Sequence, residues 1–156
     1  MRPNSSWACL WVWFAAITGA FELSTAQTQA SDANLKLEAQ LIWGTNEGLS
    51  PDPKHKPVDA EIRKKLQELP LKWTNYFVVN RQAFEVAQKI PAKVALSEKC
   101  EIQVRNLGNS VIKVSLFGKR EHVVEGTQAL PKGETLVLGG NAPNATTWLV
   151  ILKRTD

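Results

Sequence analysis

The chain has 156 residues, with 19 Lys+Arg against 15 Asp+Glu and a formal net charge of +4. That length leaves room for one domain with a genuine core and excludes two of ordinary size. The basic residues come in short clusters broken by nearby acids (Lys54/Lys56, Arg63-Lys64-Lys65, Lys119-Arg120, Lys153-Arg154), which reads as solvated surface and not as a nucleic-acid-binding stripe.

Residues 1–26 combine a basic start at Arg2, an apolar run from Trp7 to Ala20, and small residues Ser24 and Ala26 ahead of Gln27. This order describes a secretory signal peptide cleaved between Ala26 and Gln27, with Thr18-Gly19-Ala20 as a second site. The apolar run falls short of the roughly 20 residues that span a bilayer, so no stable membrane span is expected after processing. The expected location is periplasmic or extracellular. Cys9 leaves with the signal, Cys100 remains alone, and no intramolecular disulfide can form. The core must therefore supply the stability without covalent help.

Residues 27–34 are small and polar and read as a flexible leader. From Leu35 the pattern changes: Leu35, Leu37, Ala39, Leu41 and Trp43 recur with period two, the signature of a strand with one buried face. The segment 45–57 holds three prolines and can continue neither a ladder nor a helix. It is read as a long loop, either a recognition element or a connector. Asp59 is a plausible N-cap for a short helix whose apolar stripe is Val58, Ile62, Leu66 and Leu69, stopped at Pro70.

Every later segment reads as strand. Residues 71–79 are aromatic and β-branched, and a polar break at Asn80-Arg81-Gln82 precedes 84–86. A short strand is predicted over 93–96. Residues 99–105 and 111–117 alternate cleanly around a glycine-containing connection, Asn106 to Ser110. Residues 122–129 form another strand, and Pro131-Lys132-Gly133-Glu134 is a turn into 135–138. A second break is predicted from Gly139 to Asn144. Residues 146–152 are apolar on both parities, which marks a central strand. Seven or eight strands with near-regular turns and one short helix predict a mainly β domain over 35–156: an antiparallel β-sandwich, immunoglobulin-like or similar.

The chemistry-bearing residues are sparse. His55 and His122 lack partners at metal-ligand spacing, so neither a metal nor any other cofactor is expected. Cys100 alternates with Ile102 and Val104 and reads as a buried inert thiol; an intermolecular bridge or reactive thiol is the sharper alternative, and a Cys100–His122 dyad would require the sheet to bring the two together. Glu85, Glu98, Glu101 and Glu125 are the carboxylates that a hydrolytic groove could gather. Trp43 and Trp148 are expected in the core, whereas Trp73 with Tyr76 and Phe77 is the candidate ring platform, Trp73 and Tyr76 being its binding residues. Asn144-Ala145-Thr146 matches an N-glycosylation acceptor.

The segments LEAQLIWGTNE, PDPKHKPVD, KWTNYFVVNR, KCEIQV and ALPKGETLVLGG, with the aromatic last strand, resemble a group of short exported bacterial proteins of unassigned function. That resemblance implies no activity. Gly133 to Gly140 (GETLVLGG) is similar to a hairpin in the membrane-domain region of secretins, the outer-membrane export channels. The resulting expectation is a non-enzymatic binding or assembly module that meets a protein partner through a sheet edge or loops, with no nucleic acid involved. A small secreted hydrolase and a carbohydrate or cell-wall binder are the alternatives.

Overall fold

A computed structural model describes residues 34–141 and 146–156. The signal segment with its Ala26-Gln27 bond, all of the leader but Asn34, and Asn144-Ala145 of the glycosylation triplet lie outside the described residues.

Nine strands and one helix are present among the described residues: β1 (Leu35–Thr45), β2 (Lys56–Pro57), α1 (Ala60–Gln67), β3 (Asn75–Val86), β4 (Ala92–Ser97), β5 (Cys100–Gly108), β6 (Val111–Gly118), β7 (Glu121–Ala129), β8 (Thr135–Asn141) and β9 (Thr147–Arg154). They form two antiparallel sheets, a five-stranded one in the order β2-β3-β1-β9-β8 and a four-stranded one in the order β4-β5-β6-β7. The architecture is the expected mainly β sandwich with one short helix. The four-stranded sheet is an uninterrupted meander.

Period two decides which side chains meet between the sheets. Leu35, Leu37, Ala39 and Leu41 of β1 face Cys100, Ile102 and Val104 of β5 and Ile112, Val114 and Leu116 of β6 in one continuous core. Full burial of such a side chain contributes about 1.5–3 kcal/mol. β9 lies between β1 and β8, as a central strand should: Val150 and Leu152 enter this core, while Leu149 and Ile151 point to the other face of the same sheet.

That second face is covered by α1. Asp59 caps the helix, its Oδ1 accepting from the Ile62 amide at 2.9 Å. Val58, Ile62 and Leu66 then pack on Ile42, Tyr76, Leu149 and Ile151. A helix of two turns is unstable alone in water, so this docking is what keeps it formed. The Lys153 ammonium on β9 reaches Glu61 on the helix at 2.7 Å and adds a polar tie at the edge of the contact.

Several expected boundaries move: the strand read from Leu71 begins at Asn75, and Lys56-Pro57, in the segment expected to join no ladder, pairs with Val78 and Phe77 at the sheet edge. The predicted break at Asn80-Arg81-Gln82 is continuous strand, pairing with Leu41, Gln40 and Ala39 of β1 after a bulge at Val79. These residues are exposed, so their polarity records a solvent-facing stretch and not a chain reversal. Gly139-Gly140 also continues its ladder, opposite Leu149 and Trp148. A Cβ at Gly139 would come within 2.9 Å of Leu149 Cδ2, so glycine there serves close packing. The connection from Asn106 to Ser110 shrinks to two residues, Asn109 and Ser110, with φ of 52° and 62°, the geometry that suits the twist of paired strands.

One end of the sandwich is tied shut. Arg154 Nη1 donates to Ser110 Oγ at 2.8 Å and to the Leu130 carbonyl at 3.2 Å, while its Nε and Nη2 grip Asp156. The opposite end carries the β4–β5 and β6–β7 hairpin turns.

Candidate functional site

At that opposite end the two sheets enclose a cleft of about 610 Å³. Trp43 near the end of β1 and Trp148 near the start of β9 are register partners, on the parity that faces the other sheet. Both rings are half-buried; Trp148 also packs against the main core. Trp148 thus meets the core as expected, while Trp43, equally half-buried, lies at its margin. The strands run on past the packed layers here, and the rings become walls of an open space.

Val79 and Val123 add apolar surface at the cleft and remain 36% and 40% exposed. Val79 is the bulge residue of β3, and Val123 sits at the register shift between β6 and β7. Both irregularities aim a valine at the cleft that a regular ladder would have placed otherwise. Gly118 leaves room between them: a Cβ there would lie 3.1 Å from Val123 Cγ2 and 3.2 Å from Trp148 Cζ2.

The polar groups of the cleft are His55, Ser97, Lys99 and Lys119. The Lys119 amide donates to the Lys99 carbonyl at 2.8 Å, which locks the two hairpin turns together and brings both lysines to one rim. Lys119 and Arg120 form the β6–β7 turn with φ of 52° and 70°. The loop over 46–55, between β1 and β2, folds on itself, the Lys54 amide donating to Asp52 Oδ1 at 2.8 Å, and delivers His55 to the cleft. His55 Nδ1 shares a hydrogen bond with Ser50 Oγ at 2.6 Å.

Cys100 also borders the cleft but is only 5% exposed, and burial pushes its thiol up to about 11. A nucleophilic cysteine needs the reverse, an environment that favours thiolate. His122 does not join it. His122 pairs with Phe117 on the outer face of the four-stranded sheet, the rings in an edge contact at 5.6 Å, while Cys100 faces inward. The pleat separates the two halves of the proposed dyad; the histidine that shares the cleft with Cys100 is His55.

The remaining candidates are dispersed. Glu125 accepts from Lys113 Nζ at 2.7 Å and Ser115 Oγ at 2.8 Å on that outer face. These bonds, Lys113 first, hold its carboxyl below the usual range, the opposite of what a general acid requires. Glu85 stands 4.0 Å from Lys36 at the other end of the molecule. Glu98 and Glu101 line, with Arg120, a hollow that adjoins the cleft through Ser97, Lys99 and Cys100. Among the described residues no group of three or more His, Cys, Asp or Glu side chains is placed to hold a metal ion.

Tyr76 is 6% exposed beneath the helix, and its hydroxyl donates to the Trp73 carbonyl at 2.9 Å. Burial raises its pKa. Trp73 is half-buried and packs on the same cluster, so the two rings support the helix layer and do not make an open platform.

No protein-family model matches the chain significantly, and neither does any curated protein or solved structure.

Proposed function

We propose that this chain is a non-enzymatic binding module, exported as its N-terminal sequence implies, which holds its ligand in the cleft between the hairpin ends of the two sheets. The observation that carries this reading is the composition of the cleft. Trp43, Trp148, Val79 and Val123 offer apolar surface to solvent at a concave site of about 610 Å³, within the range of small-ligand sites. Of the residues weighed for catalysis, those at the cleft are a high-pKa buried thiol at Cys100 and a histidine, His55, bonded to Ser50.

The dye 1-anilinonaphthalene-8-sulfonate tests it. Saturable binding with one site per chain is expected, and Val123→Trp, which fills the mouth from an exposed position, should abolish it while leaving the far-ultraviolet dichroism unchanged. Dye binding that ignores Val123→Trp would reject the cleft as the site.

The outer edge of β7 favours a second reading, protein recognition by strand addition. This edge strand is nine residues long, and its residues apart from Val124 are exposed. Such an edge is a template for a partner strand. Capture of an envelope protein that is lost on Gly126→Pro and kept on Val123→Trp would support this reading over the first.

A further inference from the structure

We infer that the cleft takes a free single-chain amphiphile with one anionic head, of the fatty-acid type, its tail between Trp43 and Trp148 and its head at Lys99 and Lys119. This rests on the cleft being the binding site and names the chemistry it selects.

The tail follows from the walls. Two half-buried indoles and two exposed valines are costly to leave in water and repay burial by an alkyl chain. Each methylene placed there should tighten binding about fourfold until the space is filled.

The head follows from the rim. Lys99 and Lys119 border the cleft and are fixed side by side by the 2.8 Å bond between their backbones, with Lys119 carried on a two-residue turn. Among the described residues no carboxylate lines the cleft. Glu98, Glu101 and Arg120 line an adjoining hollow that shares Ser97, Lys99 and Cys100 with the cleft, and Asp52 stands 3.9 Å from His55 Nε2. The rim is thus cationic where the walls are apolar. A headgroup entering last meets the positive charge of Lys99 and Lys119 with no acid among the described lining residues of the cleft, which selects an anion over a cation of the same chain length.

Calorimetric titration of the full chain with decanoate, decan-1-ol and decyltrimethylammonium, each below its aggregation concentration, tests the inference. Decanoate should bind roughly tenfold tighter than decan-1-ol, with the cation weakest. Octanoate should bind more weakly than decanoate by about fifteenfold, the two-methylene difference. The double variant Lys99→Glu/Lys119→Glu should reverse the order of anion and cation and keep the alcohol unchanged. Equal affinity for all three would overturn the headgroup assignment and leave the cleft as an apolar binding site. Silence toward all three would overturn both. Sedimentation with phosphatidylglycerol vesicles separates the sources: the chain should stay in the supernatant, and co-sedimentation with no response to decanoate would assign the lysines to a bilayer and overturn the inference. A dimer dispersed by Val123→Trp, again with no response to decanoate, would give the cleft to a second copy.

Discussion

Cys100 offers a chemical clock for the sandwich. Its side chain is 5% exposed on the inner face of β5, and burial moves its thiol from an ordinary 9.0 to about 11. At pH 8 a thiol of the ordinary value is about one-tenth thiolate, and one at about 11 is about one-thousandth. Because the thiolate is the attacking form, alkylation by iodoacetamide at pH 8 should be about 100-fold slower in the native chain than in urea. Mass spectrometry of the peptide bearing Cys100 reads this site apart from Cys9. The same shift links to stability. The folded value lies above the unfolded one, so this contribution is intact below pH 9 and is lost as pH rises from about 9 toward about 11. Cys100→Ala should flatten that alkaline decline in part, since Tyr76 is raised in the same direction and keeps its own share. A native alkylation rate within about threefold of the rate in urea would refute the inward placement of Cys100. The register that sets it opposite Gly118 would fall with it.

Leu66→Ala should lower unfolding free energy by about 2–5 kcal/mol in urea titration, because Leu66 is 1% exposed in the contact that holds α1 to the sheet. Asp59→Ala should cost about 1 kcal/mol by the same measurement, through loss of the bond to the Ile62 amide. Gly139→Val should destabilise by about 1–3 kcal/mol against Leu149, whereas Gly126→Ala, with nothing near its Cβ position, should be neutral or mildly stabilising. On acidification, the pairs of Glu125 with Lys113 and Asp156 with Arg154 hold both carboxyls below their usual values. Their contribution is present above the unfolded pKa and is lost as pH falls through the folded one, so the acid limb of the stability curve should flatten in Lys113→Met.

Much of the fold was legible because burial in β5 and the first half of β1 follows period two, and because β9 carries apolar residues on both parities as a strand covered on both faces does. The helix was legible for a different reason, a capping aspartate followed by an apolar stripe ending at a proline. Illegible features depend on which layers meet. The polarity of Asn80-Arg81-Gln82 looked like a break because a solvent-facing strand segment and a turn have the same composition. Tyr76 looked available because its burial is created by α1, an element that precedes it in sequence and covers it only in space. The cleft was missed for a related cause. Trp43 and Trp148 obey the core parity, and the pattern does not record that the packed layers end before them. Two signals were present: adjacent valines, Val123 and Val124, where a one-sided strand would place only one apolar residue, and a Lys119-Arg120 pair where a tight hairpin favours Asn or Gly.

The most direct test of the cleft is a proton–nitrogen correlation spectrum of the indole groups, assigned by single Trp→Phe variants, recorded as decanoate is added. The Trp43 and Trp148 signals should shift together and saturate together, with Trp73 unmoved on the helix-covered side of the molecule. Movement of Trp73 with the other two still, or stillness of all three, would contradict a ligand site at the hairpin end of the sandwich.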